Sequence, residues 1–223
     1  MVRVKITLIR HGESAFNRMQ LVQGQMNPGL SPVGLTQAEK IGKRLENEKF
    51  DLVYTSDLKR AQQTAEITLR QNKVTKVAPI EDVRLREWNL GIWQGWPIPS
   101  MKGMLAQLRL PMEEFVPEEG ESRWELRSRA VDFINDMCQQ LALSQRERPF
   151  SPDTDKINIL MVVHGFLIQE LIAYFIENVS NQPTTPVTNR VPNGSLSIFE
   201  ADLKDAGCLY DVTCNSLYDA SHL

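Results

Sequence analysis

The sequence predicts an α/β protein, a three-layer sandwich with a mostly parallel central sheet, helices on both faces and a lid insertion. Three observations lead there. Short apolar runs alternate with segments of helical periodicity along most of the 223 residues. Two of those runs, Ile6-Thr7-Leu8-Ile9-Arg10-His11-Gly12 and Ile159-Leu160-Met161-Val162-Val163-His164-Gly165, end alike in histidine followed by glycine. Hydrophobic residues make up 42% of the chain, enough for one substantial core, so a single domain spanning 1–223 is expected.

The elements follow in order. Val4 to Arg10 reads as a buried strand. Ser31-Pro32 supplies an N-cap and a proline at the first helical position of a helix reaching about Lys49, with Ala38, Ile41 and Leu45 inward. Asp51 to Thr55 is a short strand, and Ser56 or Asp57 caps the next helix, whose apolar side carries Ala61, Ala65 and Ile67 or Leu69. A third strand falls around Val77 to Ile80. Ser122 and Glu125 form a capping box before a long helix with a stripe through Trp124, Val131, Ile134, Cys138 and Leu141. After a polar connection from Ser144 to Lys156 come a strand, Ile157 to Val163, and a helix, Phe166 to Ile176. Leu196 to Glu200 and Leu209 to Thr213 are late strands. The stretch 93–121, with prolines at 97, 99, 111 and 117, breaks the alternation and reads as a lid or specificity insertion, the alternative being a surface excursion.

Histidines closing two parallel strands point to one shared site, because ligands in open parallel sheets bind beyond the carboxyl ends of the strands. A net charge of -3 provides no basic field for nucleic acid or an anionic membrane, so any anion must be held by local arginines. No apolar run approaches the roughly 20 residues that span a bilayer, and His11 comes too early for a signal peptide to precede it. Cys138, Cys208 and Cys214 are odd in number and lack metal-ligand spacing, which suits reduced thiols and a cytoplasmic setting. His222 reads as a solvated tail residue. No metal or cofactor is implied: carboxylates with magnesium spacing, histidine pairs at helical spacing and a glycine-rich loop with lysine are all missing from the sequence.

Leu8-Ile9-Arg10-His11-Gly12-Glu13-Ser14 with Asn17 resembles the signature of the histidine phosphatase, or phosphoglycerate mutase-like, superfamily. Further segments agree in order: Leu30-Ser31-Pro32-Val33-Gly34, Thr55-Ser56-Asp57-Leu58-Lys59-Arg60-Ala61, Arg84-Leu85-Arg86-Glu87, Gly120-Glu121-Ser122 and His164-Gly165. The resemblance implies that His11 attacks phosphorus through a neutral ring nitrogen and that His164 donates to the developing charge. Arg10 and Arg60 would neutralise the phosphoryl oxygens with paired hydrogen bonds. Asn17, Gln23 and Gly24 match positions that contact the phosphate or adjoining substrate, though such residues also suit loops. Glu87 is the candidate general acid: burial beside Leu85 and Trp88 favours its protonated form, whereas pairing with Arg84 or Arg86 opposes it. Glu13 is assigned to hydrogen bonding or structure.

The expected partner is a small phosphorylated substrate. Mutases of this kind continue from the glutamate motif with Gly-Leu-Asn-Lys and place paired arginines in the insertion. Here Gln94-Gly95-Trp96-Pro97 follows and no adjacent arginines occur before Glu121. The chain is most similar to the branch of TIGAR-type and bifunctional-enzyme fructose-2,6-bisphosphatases, which implies hydrolysis of a sugar phosphate. A phosphoglycerate mutase and a catalytically silent phosphate-binding scaffold are the alternatives. Lys102 and Arg109 either meet a second phosphate or face solvent. Val163, Phe166 and Gln169 depart from the family pattern around His164, so Phe166 either narrows the pocket or fills the core. Trp93 and Trp96 are expected to pack rather than stack on substrate.

Overall fold

A computed structural model describes residues 2–112, 114–147, 156–177, 190–204 and 206–223. Its elements run β1 (Val2–Arg10), α1 (Ala15–Arg18), α2 (Pro32–Arg44), β2 (Leu52–Thr55), α3 (Lys59–Gln71), β3 (Ile80–Glu81), α4 (Ile98–Gln107), α5 (Arg123–Glu147), β4 (Lys156–Val163), α6 (Gly165–Ile176), β5 (Leu196–Leu203) and β6 (Leu209–Asp219). The strands form one sheet in the order β3-β2-β4-β1-β5-β6. β3, β2, β4 and β1 run parallel, and β5 is antiparallel to both of its neighbours.

Period-two alternation sends side chains to opposite faces. Ile6, Leu8, Ile159, Met161 and Val163 join the core beneath α5 and α6, whereas Ile9, Leu160 and Val162 meet α2 and α3 through Ile41, Leu45, Ala61 and Ala65. Helices therefore cover both faces of a mostly parallel sheet. Among the described residues no helix is long and apolar enough to cross a membrane.

Several boundaries differ from expectation. α2 is capped by Ser31, which accepts from the Gly34 amide, but ends at Arg44 rather than Lys49. Asn72 Nδ2 donates to the carbonyls of Leu45 and Glu48, which turns the chain away from the helix axis. Neither Ser56 nor Asp57 caps α3: its N-cap is Leu58, the Ser56 hydroxyl accepts from the Leu58 amide, and the Asp57 carboxylate binds Arg86. β3 begins only after Pro79, which has no amide to give to a ladder. In α5 the inward stripe is Leu126, Ala130, Phe133, Ile134, Met137, Cys138 and Leu141, while Trp124, out of phase with it, is 74% exposed. That helix continues through Ser144 to Glu147, and the rest of the expected polar connection lies outside the described residues. The stretch 93–121 carries α4, and its Met101, Leu105 and Phe115 are buried in the main core. Both late strands are longer than expected.

The segment after β1 packs tightly against the start of α2. Ser31 donates its amide to the Glu13 carbonyl and its hydroxyl to Glu13 Oε1, which matches the structural role expected of that glutamate. A Cβ on Gly34 would lie 2.0 Å from the Glu13 carbonyl oxygen. Gly34→Ala should therefore lower stability by about 1–3 kcal/mol, outweighing alanine's helix-propensity advantage of about 1 kcal/mol. Urea unfolding checks this; an unchanged or raised midpoint contradicts it.

Candidate active site

Strand register places the two histidines together. Arg10 stands opposite Val163 in the parallel β1–β4 ladder, so the next residue of each strand leaves the sheet at the same level. The His11 amide donates to the Val163 carbonyl at 2.9 Å, and the imidazole centroids are 5.1 Å apart at 59°. From this level β1 leads to α2 on one face and β4 leads directly into α6 on the other, which opens a crevice between them.

The contacts of His11 fix its tautomer. Nδ1 lies 2.7 Å from the Gly12 carbonyl, which only accepts, so Nδ1 carries the proton. Arg60 Nε, which only donates, lies 3.2 Å from Nε2, so the lone pair is there. His11 is 1% exposed and His164 0%. Burial, followed by the charges of Arg60 and Arg10, holds the His11 imidazole well below its usual titration range. His164 is held down by burial, then by Arg60 and His11. Both rings are neutral at physiological pH.

Arg60 occupies the first turn of α3, as expected, and is fully buried. Its Nη1 donates to the Met26 carbonyl at 2.8 Å and Nη2 to the Gly24 carbonyl at 2.9 Å. Burial lowers its pKa to about 10, so it stays charged at neutral pH. Gly24 holds φ +50°, and a side chain there would meet Gln94 Oε1 at 2.1 Å. The Gln23-Gly24 turn thus orients an arginine in addition to bordering the cavity described below. Arg10 donates from Nη1 to the Val191 carbonyl, while its buried Nε and both ring nitrogens of His164 find no protein partner.

Glu87 reaches the N-terminus of α6. Its Oε2 accepts from the Phe166 amide at 3.2 Å, and its Oε1 accepts from Leu167 at 3.3 Å and Trp88 at 2.9 Å. The nearby arginines are engaged elsewhere: Arg84 with Asp82 and Asp136, Arg86 with Asp57. Glu87 is therefore not part of a surface salt bridge with either.

A cavity of about 410 Å³ opens at this end of the sheet, and Arg10, Asn17, Gln23, Gly24 and Glu87 line it. His11, His164 and Arg60 are not among the lining residues, but His11 follows Arg10, His164 comes two residues before Phe166, and Arg60 bonds the Gly24 carbonyl. Asn17 completes a capping box with Ser14, whose hydroxyl also donates to Gln23. Lys102 of α4 lines the cavity, whereas Arg109 is exposed and stands outside the lining. Phe166 both borders the cavity and packs edge-on against Trp88 at 5.1 Å. Trp93 and Trp96 pack on each other at 5.0 Å.

Some contributors have no signal in the sequence. Asn193 Nδ2 lies 3.1 Å from both the His11 carbonyl and Asn17 Oδ1, tying the β1 end to α1 across 182 positions of chain. The Thr64 hydroxyl accepts from the Gly12 amide. Arg123 lines the cavity, and Arg129 donates to the Glu87 carbonyl and grips Glu121 with two nitrogens. The available hint for Arg129 was Glu121, within a quoted family segment. His222 is a correction: it is half-buried, its Nε2 3.1 Å from the Gly194 carbonyl, because the Gly194 turn it rests on is bonded to the carbonyls of Arg10 and His11.

A family model described as the histidine phosphatase superfamily (branch 1) matches residues 6–209. A probable fructose-2,6-bisphosphatase TIGAR A of Danio rerio is 31% identical over 201 residues, covering 80% of this chain and 78% of that protein. A probable phosphoglycerate mutase of Yersinia pestis is 35% identical over 174 residues, covering 76% and 74%. Among solved structures, a mycobacterial glucosyl-3-phosphoglycerate phosphatase superposes with a TM-score of 0.76 at 25% identity, covering 98% of this chain and all of that one.

Two buried neutral histidines make stability depend on pH. Their folded pKa values lie below the unfolded value near 6.5, so the unfolded chain binds more protons as pH falls through about 6.5 and stability declines there. Each contributes a slope of up to about 1.4 kcal/mol per pH unit. His164→Gln should flatten the dependence of unfolding free energy between about pH 6.5 and 5 by that amount; equal slopes in variant and wild type would show that His164 is not held neutral.

Proposed function

The chain belongs to the histidine phosphatase superfamily, branch 1, and from this we propose that it is a phosphomonoester hydrolase working through a phosphohistidine on a small phosphorylated metabolite, a sugar phosphate such as fructose 2,6-bisphosphate. The observation that carries the reading is the tautomer of His11, whose Nε2 lone pair faces a fixed guanidinium at 3.2 Å. A neutral, buried imidazole with its lone pair directed at an anion-binding group is prepared for attack on phosphorus.

On substrate binding, Arg60 Nε exchanges the imidazole for a phosphoryl oxygen, and Arg10 Nε and His164 donate to the remaining oxygens. The Nε2–P bond forms as the P–O ester bond breaks, and the proton on the Glu87 carboxyl passes to the departing oxygen. In the second step water loses a proton to Glu87, its oxygen bonds to phosphorus, the N–P bond breaks and inorganic phosphate leaves. The assignment of both steps to Glu87 is supported by the Phe166 and Leu167 amides, which hold its two oxygens at the start of the helix that follows His164. The similarity to fructose-2,6-bisphosphatases of the TIGAR type supports a sugar phosphate as substrate.

One second reading has an observation behind it: the likeness to a probable phosphoglycerate mutase. In a mutase the phosphoryl group returns to substrate rather than to water. Residues 93–121 contain a single arginine, Arg109, and it stands outside the cavity lining, which favours water as acceptor.

The purified protein should release phosphate from 4-nitrophenyl phosphate and from members of a sugar-phosphate panel, in the presence of EDTA, and form an acid-labile phosphoenzyme. His11→Ala should lose at least about 10³-fold in kcat along with the phosphoenzyme, and Arg60→Ala about 10²–10³-fold. Full turnover in His11→Ala would refute the nucleophile. Interconversion of the monophosphoglycerates without phosphate release would select the mutase instead.

A further inference from the structure

α5 delivers a guanidinium to two of the three residues whose amides hold the general acid. Arg123 Cζ lies 5.3 Å from the Trp88 ring centre and 5.2 Å from that of Phe166, and those two rings meet edge-on at 5.1 Å. The same residues, through their backbone amides, donate to the two oxygens of Glu87: Trp88 to Oε1 and Phe166 to Oε2. Arg123 is itself anchored, its Nη2 paired with Glu170 and its Nη1 3.4 Å from Gln169 Oε1. One cation thus sits within reach of both rings of this pair, whose backbone amides help to position the carboxyl.

Two turns along the same helix, Arg129 holds the other side of this segment. It donates to the carbonyls of Arg84, Arg86 and Glu87 at 2.7, 2.6 and 2.9 Å, while Glu121 fixes its guanidinium. The Glu87 backbone is therefore held by Arg129 and the shell around its carboxyl by Arg123. We infer that Arg123 is a positioning residue for the general acid, keeping Glu87 aimed at the departing ester oxygen by clamping Trp88 and Phe166. This rests on the proposed phosphohistidine mechanism and on the role of Glu87 in it.

The expected consequence concerns leaving groups. A phenolate with strong electron withdrawal departs without a proton, whereas a poor leaving group needs one delivered in geometry. A misplacement on the order of 1 Å costs about 10²-fold, so loosening the clamp harms poor leaving groups selectively. Arg123→Lys retains the charge but loses the guanidinium fork that meets both rings while bonded to Glu170 and Gln169.

The test is a series of substituted phenyl phosphates, alike in shape and differing in phenol acidity, with kcat/KM read because it stops at the first irreversible step. In Arg123→Lys the ratio of phenyl to 4-nitrophenyl phosphate should fall about tenfold or more relative to wild type, and Glu87→Gln should lower it at least as far. Glu170→Gln, which releases the same guanidinium from outside the cavity lining, provides the comparison should the lysine variant fail to fold. If Glu87→Gln lowers the ratio while the folded clamp variants leave it at the wild-type value, or lose all substrates in parallel, the clamp is refuted. If Glu87→Gln itself leaves the ratio unchanged, the acid assignment fails instead.

Discussion

The β1–β4 register is the constraint on which the site depends. Because the side-chain period of a strand is two, a slip of one residue would turn Ile6, Leu8 and Val163 from one core to the other. Both faces are apolar and both are covered, so the hydrophobic pattern alone does not forbid the slip. Contacts at the strand ends contribute specificity: the His11 amide bonds to the Val163 carbonyl across β1 and β4, while Asp51 ties β4 to the start of β2 and Ser195 ties Arg10 to the start of β5. Once the register is set, the imidazoles meet with no further instruction.

Electrostatics then follows from depth. Two buried histidines, within reach of buried Arg60 and of Arg10, stay neutral because each proton added would bring another cation into a region of low dielectric. The arginines remain charged because their alternatives are worse, and Arg60 has three acceptors to itself. Fixing a cation beside a neutral nucleophile is what attack on a dianion requires, since the anion is neutralised while the imidazole lone pair survives.

Sequence carried the local parts of this arrangement. The strand ends, the capping of α2 by Ser31 and the placement of Arg60 in the first turn of α3 depend on neighbours within a few positions, and these were legible. Trp124 was misplaced because the inward stripe is defined by Leu126, Ala130 and Phe133, and a tryptophan draws attention out of proportion to its phase. Asn193, Thr64 and Arg123 act through partners between about fifty and 180 positions away. Nothing in their local sequence distinguishes them from ordinary loop or helix residues, and their roles exist only once distant segments meet. His222 belongs with them, since its packing depends on a turn that also supports His11.

Three of the unmet buried hydrogen-bonding atoms gather on two neighbouring residues of the site. Among the described residues, the buried polar side-chain atoms without a protein partner are Arg10 Nε and both ring nitrogens of His164 in the site, and Thr7 Oγ1, Thr68 Oγ1, Asn158 Oδ1 and His222 Nδ1 elsewhere. Leaving a polar group buried and unpaired costs about 1–3 kcal/mol, and an asparagine or glutamine beside His164 would relieve that at little steric expense. Instead Glu87 gives both carboxyl oxygens to backbone amides of residues 88, 166 and 167. A carboxylate turned toward His164 would have favoured an imidazolium and placed negative charge where a phosphoryl group must enter. The observed arrangement engages both oxygens of the acid at the start of α6 and by Trp88, leaving the donors of Arg10 and His164 for an incoming anion. The fold is thus less stable than it would be with those donors satisfied internally, and at Arg10 and His164 an incoming anion can recover the loss.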